Sequence, residues 1–411
     1  MRPPMVLFLL LTALASVWSP SPGAAGGDGR VEENGPSLTQ PVASTFTREV
    51  GPAVPAWPTN ADAPPVDPWK RATPSRPVRV PEDHVAHPDY RIEWWYYTGN
   101  LRGDDGKAYG YQVTFFRVGV DAVPTNPSRF TVRDLYMAHV ALTDIDGAGH
   151  RFADRLNRAG VHWAGARTDR YEVWNENWRA SLDAQGRHRI TVETGAFALD
   201  FTVEQGKAAV LQGERGYSRK GRDPGNASHY YSLTRMPTSG TLRVDGRTIG
   251  VRGNSWMDHE FGTSALDAGT RGWDWFALQL EDGRELMLYQ LRLEDGAPGP
   301  YSSGTLVARD GATTPLSVRD FTVTPRRTWT SPGSGATYPV EWQVRVPREA
   351  LDLAVTAARD AQELRTRQST NVTYWEGSVR VAGTSRGQPL RGVGYLEMTG
   401  YSGAKMSDVM R

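Results

Sequence analysis

The sequence predicts an all-β protein: two similar antiparallel β-domains after a proline-rich arm. Three observations carry this. Short runs alternate between apolar and polar residues, as in Tyr109–Val118 (YGYQVTFFRV) and Glu285–Leu293 (ELMLYQLRL), which is the period of a half-buried strand. The composition holds 14 Trp, 16 Tyr, 43 Gly and 28 Pro in 411 residues, favouring strands and turns over helices. One ordered pattern occurs twice. Trp94-Trp95-Tyr96-Tyr97, Asp105-Gly106, Tyr111-Gln112 and Arg117 are echoed by Trp273-Asp274-Trp275-Phe276, Asp282-Gly283, Tyr289-Gln290 and Arg292. Asp-Gly between alternating apolar runs marks a hairpin, so the repeat reads as a duplicated domain.

In chain order, residues 1–25 have the layout of a secretory signal peptide. Arg2 precedes the apolar run Met5–Val17, and small residues lead to a cleavage point near Ala25. Secretion or a periplasmic location follows from it. The run is too short for a comfortable transmembrane helix. Residues 26–86 form an arm so rich in proline that neither helix nor central strand can persist. Trp57 and Trp69 are its candidate anchors on the body. Residues 87–262 form the first β-domain; further strands are expected at Leu135–Leu142, Arg189–Thr194 and Ala196–Val203. Residues 263–405 form the second, with a strand at Val340–Val346; Arg348–Arg367 has Ala-rich helical spacing but also reads as a strand, Leu351–Ala357, followed by loop.

The charge balance narrows the function. Lys plus Arg number 47 and Asp plus Glu 46, so no basic field exists to hold nucleic acid. The absence of cysteine removes disulfides, thiol nucleophiles, Fe–S clusters and thiolate zinc sites. No Gly-x-Ser-x-Gly, Ser-x-x-Lys, His-Glu-x-x-His, Gly-x-Gly-x-x-Gly or Walker motif occurs. No cofactor is expected. His84-x-x-His87 has metal-like spacing but sits in the proline-rich segment, and no metal is expected there.

Two strings concentrate chemistry. In a strand, Glu93, Trp95 and Tyr97 share one face and Trp94 and Tyr96 the other, so Glu93 stands beside aromatic rings. It is then either functional or paired with a buried arginine such as Arg117. In Gly253–Thr263 (GNSWMDHEFGT), Trp256, Asp258 and Glu260 share a face, as do Met257, His259 and Phe261. An Asp and a His within reach of each other can do acid–base work; a surface turn with solvated acids is the alternative. Trp273 and Trp275 form a third aromatic face. His139, in the strand Tyr136–Leu142, is either a core histidine or a site residue.

Glu93-Trp94-Trp95-Tyr96-Tyr97-Thr98-Gly99-Asn100-Leu101, Ala138-His139-Val140-Ala141-Leu142-Thr143-Asp144, Trp256-Met257-Asp258-His259-Glu260-Phe261-Gly262 and Trp273-Asp274-Trp275-Phe276 together resemble the AttH/CrtC family over residues 81–405. The resemblance implies two lipocalin-like β-barrel or sandwich domains packed side by side, with a pocket at their interface. The family includes the carotenoid 1,2-hydratase, fungal polyene cyclases, and secreted bacterial members described as predicted hydrolases or ABC-transporter-associated proteins. The resemblance therefore implies an apolar isoprenoid, polyene or lipid ligand and acid-assisted hydration or cyclisation. Asp258, His259, Glu260 and Tyr289 would be the catalytic residues, Asp258 the proton donor with His259 setting its protonation. Glu93, Trp95, Tyr97, His139, Trp256, Trp273 and Trp275 would contact the ligand. Phe261 stands where the family's His-x-Trp string has tryptophan, and in the later Tyr-x-Asp strand Tyr289 matches but the expected Asp does not; both departures weigh against carotenoid hydration itself. The rival reading is a non-catalytic carrier associated with a transporter or membrane. A hydrolase is the third, with the missing nucleophile motif against it.

Overall fold

The computed structural model describes residues 67–128, 130–147, 149–160, 162–264 and 266–409. Residues 1–25, where a signal peptide is expected, and Trp57 lie outside these residues. Two antiparallel sheets carry the fold. The larger, of 13 strands, follows the path Gly149–Arg158, Asp134–Asp144, Ala108–Gly119, Ile92–Gly103, Arg247–Ser264, Ala227–Val244, Phe197–Val203, His188–Glu193, Trp178–Leu182, Glu172–Asn175 and Ala164–Ala166. Its two ends meet: Ala159 and Gly160 bridge to Ala164, and Asn175 donates to the Tyr136 carbonyl at 3.1 Å. The sheet is thus a nearly closed barrel, which leaves little free edge. The second sheet, of 10 strands, runs Thr313–Ser317, Ser303–Val307, Glu285–Leu293, Thr270–Leu280, Gln388–Met398, Thr373–Ser385, Leu351–Ala357, Thr337–Val346 and Thr322–Thr330 and forms a half-barrel. Both are lipocalin-like, as the family resemblance implied.

The two Asp-Gly hairpins hold corresponding places. Ile92–Gly103 pairs with Ala108–Gly119 on one side and with Arg247–Ser264, the last long strand of its sheet, on the other. Thr270–Leu280 pairs with Glu285–Leu293 and with Gln388–Met398, again the last of its sheet. The turns share their hydrogen bonds: Gly106 N to Gly103 O at 3.0 Å, Gly283 N to Leu280 O at 3.1 Å. Gly106 and Gly283 have φ of +80° and +87°, where a side chain is strained. The Tyr-Gln pairs are not equivalent, however. Tyr111 stands five residues after Gly106 and Tyr289 six after Gly283, and a one-residue offset flips the face. Tyr111 therefore enters the first barrel's core, and Tyr289 the interface.

Each sheet encloses its own core, and a third apolar cluster fills the seam between them: Tyr96, Tyr230, Trp256, Trp275, Ala277, Met287, Tyr289, Leu291 and Tyr395. From residue 67 the arm is folded rather than extended. Trp69 is buried against Gly119, and Glu82–His84 is a single 3-10 turn with Asp83 and His84 buried. Its hydrogen bonds go to the barrel, as from Lys70 N to Asp89 O at 2.8 Å, so this part of the arm is barrel lid. Among the described residues no helix is long and apolar enough to cross a membrane.

Candidate functional site

Strand alternation decides which side chains meet. On Ile92–Gly103, Trp94 and Tyr96 point to the seam, whereas Trp95 and Tyr97 enter the first core. On Arg247–Ser264, Trp256, Asp258 and Glu260 take the seam side, and Met257 the first core. Within the seam lies a cavity of about 250 Å³, walled by Trp94, Tyr96, Phe116, Met137, His139, Tyr230, Trp273, Trp275, Tyr289, Leu291, Val372 and Tyr374 among others. A mostly apolar concavity with few polar groups is the usual form of a small-molecule site.

The ionisable side chains in that wall, besides tyrosines, are Glu260, Glu376, Glu397, Arg91, Lys220 and His139. Glu376 and Glu397 lie directly opposite each other on the paired strands Thr373–Ser385 and Gln388–Met398. Neither forms an ion pair among the described residues. Tyr96 donates to Glu376 Oε1 at 2.6 Å. Burial raises the Glu397 carboxyl to about 7, against a smaller lowering by a hydrogen bond from Trp273; the Asp258 and Glu260 charges add to the rise. Burial first, and then the Glu397 charge, hold Glu376 well above the carboxylate range. Two facing carboxyls in an apolar cavity share protons, and at neutral pH the pair retains at least one.

Asp258 does not reach the cavity surface. It accepts from Ser232 Oγ at 2.5 Å, Tyr230 Oη at 2.5 Å and Trp256 Nε1 at 2.7 Å. Burial nevertheless raises it to about 7, with those three bonds opposing. Tyr230 stands between it and the cavity, receiving the Trp275 indole N–H at 3.2 Å. In Asp258→Asn the side-chain oxygen still accepts from Ser232 and Trp256, but the amide meets the Tyr230 hydroxyl, which loses the acceptor of its own proton. Asp258→Asn is therefore expected to cost about 1–2 kcal/mol of unfolding stability, and Asp258→Leu, which strands three buried donors, about 3 kcal/mol or more; urea denaturation of the two variants measures this.

Several expected placements are corrected. His259 cannot set the protonation of Asp258, because neighbours on a strand face opposite ways. Its Nε2 meets Glu93 Oε1 at 2.9 Å and its Nδ1 meets Tyr231 Oη at 3.0 Å, inside the first barrel. Glu93, Trp95 and Tyr97 also lie within that barrel and do not touch the cavity; Glu93 pairs with Arg117 Nε at 3.2 Å, as one of the two sequence readings required. Trp256 is behind the wall, bound to Asp258. Glu260 lines the cavity but is ion-paired with Lys220 and hydrogen-bonded by Ser228. His139, Trp273, Trp275 and Tyr289 line it. His139 Nδ1 meets Tyr374 Oη at 2.8 Å and its Nε2 meets Ser369 Oγ at 2.9 Å; burial lowers its imidazole to about 3, so it is neutral.

The residues sequence reasoning missed are Glu376 and Glu397. Their signal was present: Tyr374 and Glu376 share one strand face, and Tyr395 and Glu397 another, the same carboxylate-beside-aromatic pattern as at Glu93.

Comparison with known proteins agrees with this architecture. The profile of the AttH-like family matches residues 71–401. The solved structure of an AttH-type protein from Nitrosomonas europaea is 35% identical over 81% of this chain and 99% of its own, with a TM-score of 0.73. Kievitone hydratase from Nectria haematococca shares the fold, with a TM-score of 0.60 at 17% identity over 79% of this chain and 93% of its own. A search of curated proteins found no match.

Proposed function

The chain belongs to the AttH-like family, and on that footing we propose that it is an exported enzyme that protonates a long, unsaturated apolar molecule held in the seam cavity, leading to hydration or cyclisation. The observation that carries the proposal is the Glu376–Glu397 pair, which forms no ion pair among the described residues and faces into an aromatic-walled cavity. A proton donor for neutral pH needs a carboxyl raised by burial, because an ordinary carboxylate is already ionised.

In the proposed step the protonated carboxyl of the pair transfers its proton to one carbon of a C=C bond. The π electrons form the new C–H bond, and the other carbon becomes a tertiary cation. Trp94, Trp273 and Trp275 offer ring faces to that charge, where cation–π attraction contributes about 2 kcal/mol or more in a dry site. A water oxygen, or a second double bond of the same chain, then attacks the cation. The proton released on capture or final deprotonation returns to the carboxylate, so the pair is regenerated. In this reading Asp258, which is hydrogen-bonded to the cavity-lining Tyr230, acts on the cavity through that tyrosine rather than directly.

The hydrolase reading has one feature in its favour, the 2.9 Å contact between Ser369 Oγ and His139 Nε2 in the cavity wall. Ser369 sends its one proton to Asp154 Oδ2 at 2.7 Å, and His139 has little affinity for a proton. That arrangement does not activate a nucleophile.

The test is incubation with a panel of isoprenoids and polyenes in D₂O, followed by mass spectrometry. The enzyme reading expects deuterium on carbon, with or without the mass of one added water. A carrier binds members of the panel and returns them unlabelled. In either case, binding is expected to quench tryptophan emission, because Trp94, Trp273 and Trp275 wall the cavity. Trp275→Ala is expected to weaken affinity by about 5- to 30-fold, the equivalent of 1–2 kcal/mol of lost aromatic contact.

A further inference from the structure

We propose a divalent metal site inside the first barrel, on the side of the strands Ile92–Gly103 and Arg247–Ser264 that faces away from the seam cavity. Its ligands are His87 Nδ1, Glu93 Oε1 and His259 Nε2, and its occupant is a first-row ion of the zinc or iron(II) class. The three donor atoms lie within 4.8 Å of one another. His87 Nδ1 is 2.8 Å and His259 Nε2 2.9 Å from the same Glu93 oxygen. Two donors on a tetrahedral ion at ~2.0–2.1 Å stand about 3.4 Å apart, so Glu93 must draw back from each imidazole by about 0.5 Å, exchanging the two hydrogen bonds for metal bonds, to admit an ion.

The surrounding atoms are arranged as such a site requires. Ligating histidines commonly donate their other ring nitrogen to a fixed acceptor. Here His87 Nε2 meets Asp83 Oδ1 at 3.2 Å, and His259 Nδ1 meets Tyr231 Oη at 3.0 Å. The second Glu93 oxygen is held by Arg117 Nε at 3.2 Å and the His87 amide at 2.9 Å. Phe261 stacks on His87 with centroids 3.6 Å apart, and Trp95 on His259 at 5.0 Å. These rings hold both imidazoles in place. Beside them His229, fully buried, has neither ring nitrogen hydrogen-bonded, and its ring lies 5.2 Å from Phe261. Two histidines and a carboxylate leave coordination positions for water or substrate, the donor set of zinc hydrolases and non-haem iron enzymes rather than of closed structural sites. The sequence conceals this set: His84 and His87 suggest a pair, but His84 turns to Tyr231 at 2.6 Å, and the partners of His87 come from two other strands.

The experiment strips full-length protein with a chelator, adds Zn²⁺ alone, removes the excess by desalting, and measures zinc per chain. Co²⁺ substitution and its visible absorption report coordination. Wild type is expected to retain one zinc per chain, with a melting temperature that rises with zinc concentration. Affinity should fall as pH is lowered, because protons compete for both imidazoles. His87→Ala removes a ligand at the barrel rim and is expected to stay folded and lose retention. Asp83→Asn, a positioning change, is expected to weaken affinity by about 10- to 100-fold. The proposal is overturned if folded wild type retains no zinc, or if folded His87→Ala retains as much as wild type. Either result leaves the four side chains as a hydrogen-bonded network held by protons.

Discussion

Glu376→Gln and Glu397→Gln are each expected to lower turnover by about 10²- to 10⁴-fold, the usual cost of losing a general acid, while ligand affinity changes little. They are also expected to stabilise the protein at alkaline pH. The reason is the direction of the shift. Burial raises Glu397 to about 7 from an ordinary 4.5, so between those values the folded chain holds a proton that the unfolded chain has lost. Stability from this group is full below the unfolded value and declines as pH rises through the folded one. Glutamine has no such dependence. The two proteins should therefore be equally stable near pH 4, with the Glu397→Gln variant ahead by about 1–3 kcal/mol at pH 8. Denaturant midpoints of both across that range measure the difference. An active-site residue whose removal stabilises the fold is what a strained acid predicts; a structural carboxylate would show the reverse.

Arg117→Met carries the second large effect, and it concerns the scaffold. Arg117 is fully buried. It donates to Glu93 Oε2, to Asp134 Oδ1 at 2.9 Å, to the Tyr90 carbonyl at 2.6 Å and to the His87 carbonyl at 2.9 Å. Methionine fills the same space but removes the buried cation between Glu93 and Asp134 and one hydrogen-bond donor from each of two carbonyls. Removing one partner of a buried pair costs about 3–5 kcal/mol, and the two lost carbonyl hydrogen bonds put this case at the upper end. A drop of about 10–20 °C in melting temperature is expected. The control is Arg189→Met. Its ion pair with Asp200 is exposed, and such pairs contribute about 1 kcal/mol or less.

The architecture was written in local pattern, because strand period and turn chemistry act over a few residues. Glu285–Leu293 and Leu351–Ala357 have the bounds their alternation suggests, and the Asp-Gly turns mark both principal hairpins. The site was harder to read, because it depends on which strand faces which. Asp258 and His259 are adjacent in sequence, and that adjacency suggests a catalytic pair; the pleat sends them to different chambers. Glu376 and Glu397 stand 21 positions apart, and the pleat brings them together. Their register could have been counted. Arg386-Gly387 is a two-residue turn between the paired residues Ser385 and Gln388, and nine further steps along each strand arrive at Glu376 and Glu397. That dipeptide is a weaker hairpin signal than Asp-Gly, and neither glutamate sits in a tryptophan-rich string. The arm misled for another reason. Proline excludes regular strands and helices, but it does not prevent a segment from packing, and Trp69, Val78 and Ala86 are buried.

The account centres on an apolar molecule occupying the seam between the two sheets, and native mass spectrometry of protein purified from its own host tests that most directly. The prediction is a non-covalent adduct of a single apolar compound, released on denaturation and soluble in organic solvent. It should be absent from Val372→Trp, which fills the cavity. Protein that carries no such compound, and whose tryptophan emission no polyene, isoprenoid or fatty-acyl probe alters at micromolar concentration, would contradict the account.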